Sequence, residues 1–154
     1  MIFAGEFEHR IDPQGRISVP ARFRTAFEEG IVLSKAFDPC INVYTQAEWE
    51  QVAAEMASQP TNRGISRRLN RLTFAGAYPS QLDRSGRVLI PPQLREYAGL
   101  GENIVLVGAG SLMEIWDRSA WDQESEIIDA QAAEIAEAAI GSTHAAAETG
   151  GNGR

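Results

Sequence analysis

Cysteine is nearly missing from this chain. Cys40 stands alone, so no disulfide can form within the chain, which fits a reducing compartment. Histidine is almost as scarce, with only His9 and His144. One thiol and two distant imidazoles give no metal-ligand spacing and nothing to activate Cys40 as a nucleophile, so a buried structural thiol is expected. No apolar run approaches the ~20 residues of a bilayer-spanning helix, and no basic leader precedes an apolar stretch near Met1. These absences predict a cytoplasmic protein without a membrane partner. No G-x-x-x-x-G-K-[ST] or G-x-G-x-x-G loop occurs; Gly108-Ala109-Gly110 is a bend between strands, without the following helix of a phosphate cradle. With no catalytic constellation, metal ligands or cofactor loop, neither an enzyme nor a small-molecule substrate is expected.

Lysine is scarce too. Of 14 cationic residues 13 are arginine, with Lys35 the exception. Arginine's planar fork suits bidentate contacts to phosphates and guanine edges. The net charge of −7 argues against a nucleic-acid partner until its distribution is read. Residues 1–95 hold 12 Lys+Arg against 10 Asp+Glu, a net of +2. Residues 96–154 hold 2 against 11, a net of −9, and the acid is therefore concentrated toward the tail.

What the chain does have is a duplication. Ala4-Gly5 recurs 71 residues later as Ala75-Gly76. At the same offset, Ile11-Asp12-Pro13-Gln14-Gly15-Arg16-Ile17-Ser18-Val19-Pro20 aligns with Leu82-Asp83-Arg84-Ser85-Gly86-Arg87-Val88-Leu89-Ile90-Pro91, and Arg24 with Arg95. Ile31-Val32-Leu33 then answers Ile104-Val105-Leu106, Val43-Tyr44 answers Ile115-Trp116, and Trp49 answers Trp121. Turn-formers, strand apolars and helix starts recur in one order over about 45 residues, which chance does not preserve.

Each copy reads as strand, turn, strand, helix, strand, strand. Phe7, His9 and Ile11 alternate with polar neighbours, the period of a half-buried strand. In the turn Asp12-Pro13-Gln14-Gly15, proline presets φ and glycine supplies a positive φ. Pro20, at a first helical position, opens a short helix stopped by Gly30; Pro91-Pro92 and Gly99 repeat the arrangement. Thr45-x-x-Glu48 is a capping box ahead of a helix carrying Trp49, Val52 and Met56. One copy is too small to bury its own apolar faces. The two are therefore expected to interleave with pseudo-two-fold symmetry in an α+β, β-rich domain. The expected organisation is a first repeat at 5–47, linking helices at 48–75, a second repeat at 76–119, and an acidic helical segment at 120–154 that ends in a mobile tail from Gly141. Arg63, Arg67 and Arg71 form a helical stripe beside Arg68, expected as a solvated face or a subunit contact.

The repeated D-x-x-x-R turn is the candidate site. Asp12 and Asp83, with Gly15 and Gly86, have a local reason to build the turns. Arg16 and Arg87 either pair with those aspartates or use a rigid hairpin to address phosphates and base edges, and both readings stand. Arg10, Arg22 and Arg24 crowd around the first turn, and Arg84 flanks the second. The denser first copy is where DNA is expected first. Oligomerisation would turn such modest contacts into an array.

These motifs, together with Gly5-Glu6-Phe7-Glu8-His9, Leu106-Val107-Gly108 and Glu114-Ile115-Trp116-Asp117, make the chain resemble the MraZ family over about residues 1–122. The resemblance implies two SpoVT-AbrB-type units forming an AbrB-like swapped-hairpin barrel, each ββαββ. It also implies a ring-forming homo-oligomer associated with the nucleoid. Such regulators bind direct repeats of double-stranded DNA in the promoter of the division and cell-wall gene cluster. The family's motif arginines correspond to Arg16 and Arg87 and its aspartates to Asp12 and Asp83, while Gln14 stands where many members have lysine. The competing expectation is an antitoxin-like or other protein-interaction module acting through the acidic C-terminal segment.

Overall fold

The computed structural model describes the backbone of residues 1–149 and the side chains of residues 1–141. It divides into two units, Met1–Arg118 and a second beginning at Ser119.

In the first unit strands alternate between core and water as the sequence does. Phe7 and His9 of β1 (Glu6–Arg10) turn inward while Glu6, Glu8 and Arg10 stay exposed. There follow β2 (Arg16–Ser18), a 3-10 helix at Ala21–Phe27, β3 (Ile31–Lys35) and β4 (Ile41–Thr45). Linking helices α1 (Gln46–Ala57) and α2 (Gly64–Asn70) lead through a π-helical turn, Arg71–Ala75, into the second copy. That copy comprises β5 (Ala77–Ser80), β6 (Arg87–Leu89), α3 (Pro92–Tyr97), β7 (Asn103–Gly108) and β8 (Met113–Asp117). Thr45 caps α1 by accepting from the Glu48 amide at 3.2 Å. The two helices after the turns differ in kind. Pro92 presets φ at the first helical position of α3, whereas Pro20 is the residue before its helix and no proline follows it. The first is a 3-10 helix, the narrower, more tightly wound form common in brief segments.

The strands flanking each Asp turn do not pair with each other, which corrects the expectation of a local hairpin. β1 leaves to pair with β7, and β2 pairs with β6, both from the other copy. The reason is burial: crossing over closes the apolar faces that an isolated copy would leave open. The result is a six-stranded antiparallel sheet, β1-β7-β8-β4-β3-β5, and a two-stranded ribbon, β2-β6. Registers expose the symmetry. In the ribbon Ile17 lies opposite its own repeat-mate Val88; at the centre of the sheet Asn42 lies opposite Glu114, its repeat-mate. Phe7 faces Leu106 as Tyr78 faces Leu33. A pseudo-two-fold axis passes through both centres. Pro79 is tolerated in β5 because that strand is an edge.

The core sits between sheet and ribbon. Ile17 and Val88 enter it from the ribbon, Phe27 and Leu94 from the short helices, and Ile31, Leu33, Ile104, Leu106 and Ile115 from the sheet. Full burial of each such aliphatic stabilises by roughly 1.5–3 kcal/mol. Cys40 is fully buried, its thiol 3.8 Å from a Glu114 carboxylate oxygen.

The second unit is helical: α4 (Arg118–Ala130), which begins one residue before it, and α5 (Ala132–Thr149). Helical hydrogen bonding continues through the junction, with the Gln131 amide donating to Ile127 O at 3.1 Å and the Ile135 amide to Gln131 O at 2.9 Å. Helix therefore persists past Gly141, where a tail was expected; the remainder of that expected tail, 150–154, lies outside the described residues.

Candidate nucleic-acid interface

Each D-x-x-x-R segment folds by the same internal bonds. Asp12 Oδ1 accepts from the amides of Gln14 (3.0 Å) and Arg16 (2.8 Å), while its Oδ2 accepts from Arg16 Nε at 2.9 Å. Asp83 Oδ1 accepts from the amides of Ser85 and Arg87, both at 2.9 Å, and its Oδ2 from Arg87 Nε at 3.0 Å. The Gly15 and Gly86 amides close the turns onto Asp12 O (2.9 Å) and Asp83 O (3.0 Å). Both glycines have positive φ, +83° and +75°, as the turn requires. The amide of Arg16 above all, then its guanidinium, holds the Asp12 carboxyl below the usual carboxylate range. For Asp83 the Arg87 amide is the leading cause. A carboxylate collecting several donors is stabilised in its charged form.

That bonding engages only Nε of each arginine with the aspartate. The outer nitrogens face away: in Arg16 one donates to Gln14 Oε1 at 3.1 Å, whereas those of Arg87 have no hydrogen-bond partner among the described residues. Because directly opposed residues of an antiparallel pair share a face, the register places Arg16 with Leu89 and Ser18 with Arg87 on the outer face of the ribbon. Ile17 and Val88 occupy the inner one. The two motif arginines therefore stand on one surface, one residue either side of the pseudo-dyad, with Leu89 exposed beside them. Both copies thus contribute a motif arginine to the same face of the ribbon.

The remaining candidates separate by environment. Arg10 is exposed and ion-paired with exposed Glu102. Arg22 lays its guanidinium over the rings of Phe7 and Phe23, 4.6 and 4.8 Å from their centroids, a cation–π contact that leaves its edge open to water. Arg84 is exposed at the second turn, with no ion-pair partner among the described residues. Arg24 is half-buried, and its Nε donates to Val19 O at 3.0 Å. It lies directly over the turn of the opposite copy: a Cβ on Gly86 would fall 2.1 Å from Arg24 Nε. Its repeat-mate Arg95 lies over Gly15, whose Cβ would be 3.1 Å from Arg95 Cζ. These cross-copy contacts were missed in the sequence. The only signal was that Arg24 and Arg95 occupy matched repeat positions.

Arg63, Arg68 and Arg71 are exposed, as is Arg67, which donates to Thr61 O at 2.9 Å. No group of three or more His, Cys, Asp or Glu side chains fit to hold a metal occurs among the described residues, and no helix among them is long and apolar enough to cross a membrane.

Comparison with known proteins accounts for the duplication directly. Residues 2–72 and again 73–143 match the family described as "MraZ protein, putative antitoxin-like", so the two matched segments divide the chain where the internal repeat does. The "Transcriptional regulator MraZ" of Roseiflexus castenholzii is 41% identical over 136 residues, covering 88% of this chain and 95% of the relative. The proteins of the same name from Desulforamulus reducens and Heliobacterium modesticaldum are 40% and 38% identical, covering 88% and 90% of this chain and 96% and 97% of theirs. The name these relatives carry is a regulator's and not an enzyme's. With both repeats matched and identity sustained over nearly the whole length, the chain belongs to the MraZ family.

Proposed function

We propose that this protein is a sequence-specific DNA-binding transcriptional regulator, a repressor of the bacterial division and cell-wall gene cluster. It binds promoter direct repeats as a ring-type homo-oligomer, in the cytoplasm at the nucleoid. The observation that carries the reading is the β2-β6 ribbon, whose outer face presents Arg16 and Arg87 with their Nη groups outward and their aim fixed by Asp12 and Asp83. A two-stranded ribbon fits the width of the major groove, and a guanidinium held at Nε can offer its outer nitrogens to a guanine edge or a phosphate, in Arg16 once Nη2 leaves Gln14 Oε1. Arg10, Arg22 and Arg84 flank that face as backbone contacts, which position a protein without reading sequence. Repetition of the ribbon around an oligomer offsets the acidic total charge through effective concentration.

The test is a gel-shift titration on DNA from upstream of the protein's own gene. Arg16→Ala is expected to lose roughly 1–3 kcal/mol of binding. Wild-type affinity in that variant at equal salt would remove Arg16 from the interface. A second reading, a protein-interaction module, draws on the exposed Ile127, Ile128, Ile135 and Ile140 of the acidic C-terminal helices. It predicts that deleting residues 123–154 abolishes regulation while DNA affinity stays unchanged.

A further inference from the structure

Arg24 and Arg95 come from the short helices, yet each meets the turn of the other repeat. Val19 and Gly86 are tied by a backbone hydrogen bond from the Val19 amide to Gly86 O at 2.9 Å. Arg24 folds back over this junction: Nε is bonded to Val19 O, and its Cδ, Nε and Cζ occupy the space where any side chain on Gly86 would begin. The mirror junction joins the Ile90 amide to Gly15 O, also at 2.9 Å. Arg95 spreads its Cζ and both Nη atoms over Gly15. It is the looser of the two, because its buried Nε has no partner. Gly86 and Gly15 are the residues immediately before Arg87 and Arg16. Anything that fixes the glycine fixes where the next strand starts.

We propose that Arg24 and Arg95 are cross-repeat positioning residues: Arg24 sets the second turn and hence the aim of Arg87, and Arg95 sets the first turn and the aim of Arg16. They act within the protein and not on nucleic acid. Each turn is thereby coupled to a helix of the opposite copy. The role in binding rests on the reading of Arg16 and Arg87 as DNA contacts; the coupling of turn to opposite helix does not.

Two measurements separate these claims. In hydrogen exchange without DNA, Arg24→Ala is expected to speed exchange of the Ser85, Gly86 and Arg87 amides while leaving those of Gln14, Gly15 and Arg16 unchanged. Arg95→Ala is expected to do the reverse. Loosening confined to the variant's own repeat, or none, overturns the positioning role whatever the DNA result. The second measurement titrates duplex DNA from the protein's own upstream region at several salt concentrations. A direct phosphate contact lowers the slope of log affinity against log salt by about one when removed. Arg24→Ala is expected to weaken binding roughly tenfold with the slope unchanged, and to add little once Arg87 is already alanine. A slope reduced by about one, or effects of Arg24→Ala and Arg87→Ala that simply add, would make Arg24 a contact and overturn the proposal. If Arg24→Ala does not fold, Arg24→Met retains the stem over Gly86 and is read in the same two ways. Exchange effects as expected, alongside no binding even by the wild type, would uphold the positioning and reject the DNA reading alone.

Discussion

The two repeats share a backbone plan but fill it differently. At matched positions, the first copy has Phe3, Phe7, Phe23 and Phe27 where the second has Phe74, Tyr78, Leu94 and Ala98. In the first copy the rings form one cluster: Phe3 packs edge-on to Phe23 at 5.2 Å and stacks on Phe27 at 5.5 Å, and Phe7 meets Phe23 edge-on at 5.6 Å. Phe3 is pinned there by backbone bonds with Gly110, 2.7 and 3.0 Å. Its counterpart Phe74 sits in the π-helical turn, 39% exposed, against Trp49. The difference shows that duplication preserves register, turns and the dyad, while the aromatic mass of the core can be placed on one side of it.

The most damaging way to test that inequality is to truncate the matched phenylalanines. Phe3→Ala removes a ring that is 2% exposed and within two aromatic contacts, and is expected to cost about 3–5 kcal/mol. Phe74→Ala opens no enclosed cavity and is expected to cost about 1 kcal/mol. Urea unfolding reads both. Equal losses would mean that the two copies bear on the core alike.

The turn glycines give the next largest contrast. Alanine at either position meets the left-handed backbone penalty, about 1–2 kcal/mol. At Gly86 it also meets Arg24 at 2.1 Å, whereas at Gly15 the nearest Arg95 atom is 3.1 Å away. Gly86→Ala is therefore expected to destabilise more, by roughly 2–4 kcal/mol in all. Combining it with Arg24→Ala is expected to recover the steric part and leave the backbone part, which thermal unfolding of the double variant measures. No recovery would mean that Arg24 moves aside at little cost.

On DNA the repeats are expected to be nearly equal, because Arg16 and Arg87 straddle the pseudo-dyad on one face. Each alanine variant is expected to lower affinity by about 1–3 kcal/mol. Arg87→Ala should be the greater loss if Gln14, which holds one outer nitrogen of Arg16, must be displaced before that arginine can bind. Fluorescence anisotropy at fixed salt decides the order.

Much of this was legible in the sequence. The duplication, the alternation in β1, the Asp-to-Gly turns and the Thr45 cap are all local, and each has a cause within a few residues. What escaped was the identity of partners. A period of two tells which face of β2 is apolar but not whether β1 or β6 lies beside it, and the Asp12 turn is compatible with either. Burial across the whole unit decides, through the Ile17–Val88 crossing. The surroundings of Arg24 were hidden for the same reason. Near Arg10, Arg16 and Arg22 it read as one more cation of a basic patch, because the glycine that it covers lies in the other repeat.

The finest contrast concerns protons. Asp12 and Asp83 both ionise more readily in the folded protein than in the unfolded chain. A carboxyl with a lowered folded pKa adds stability that is fully present above its unfolded value, near pH 4, and is lost as pH falls through the lower folded value. The destabilisation by Asp12→Asn or Asp83→Asn should accordingly be full at neutral pH and shrink toward zero below about pH 4. The Arg16–Asp12 pair is a little more shielded from water than Arg87–Asp83, with the carboxylate side chains 26% and 37% exposed, so solvent screens it less. Removing the arginine should thus matter more in the first turn. Carboxyl titration by NMR is expected to show Arg16→Ala returning Asp12 further toward its ordinary range than Arg87→Ala returns Asp83. Neither should return completely, because in both turns the leading donor is the backbone amide of that same residue, which alanine keeps.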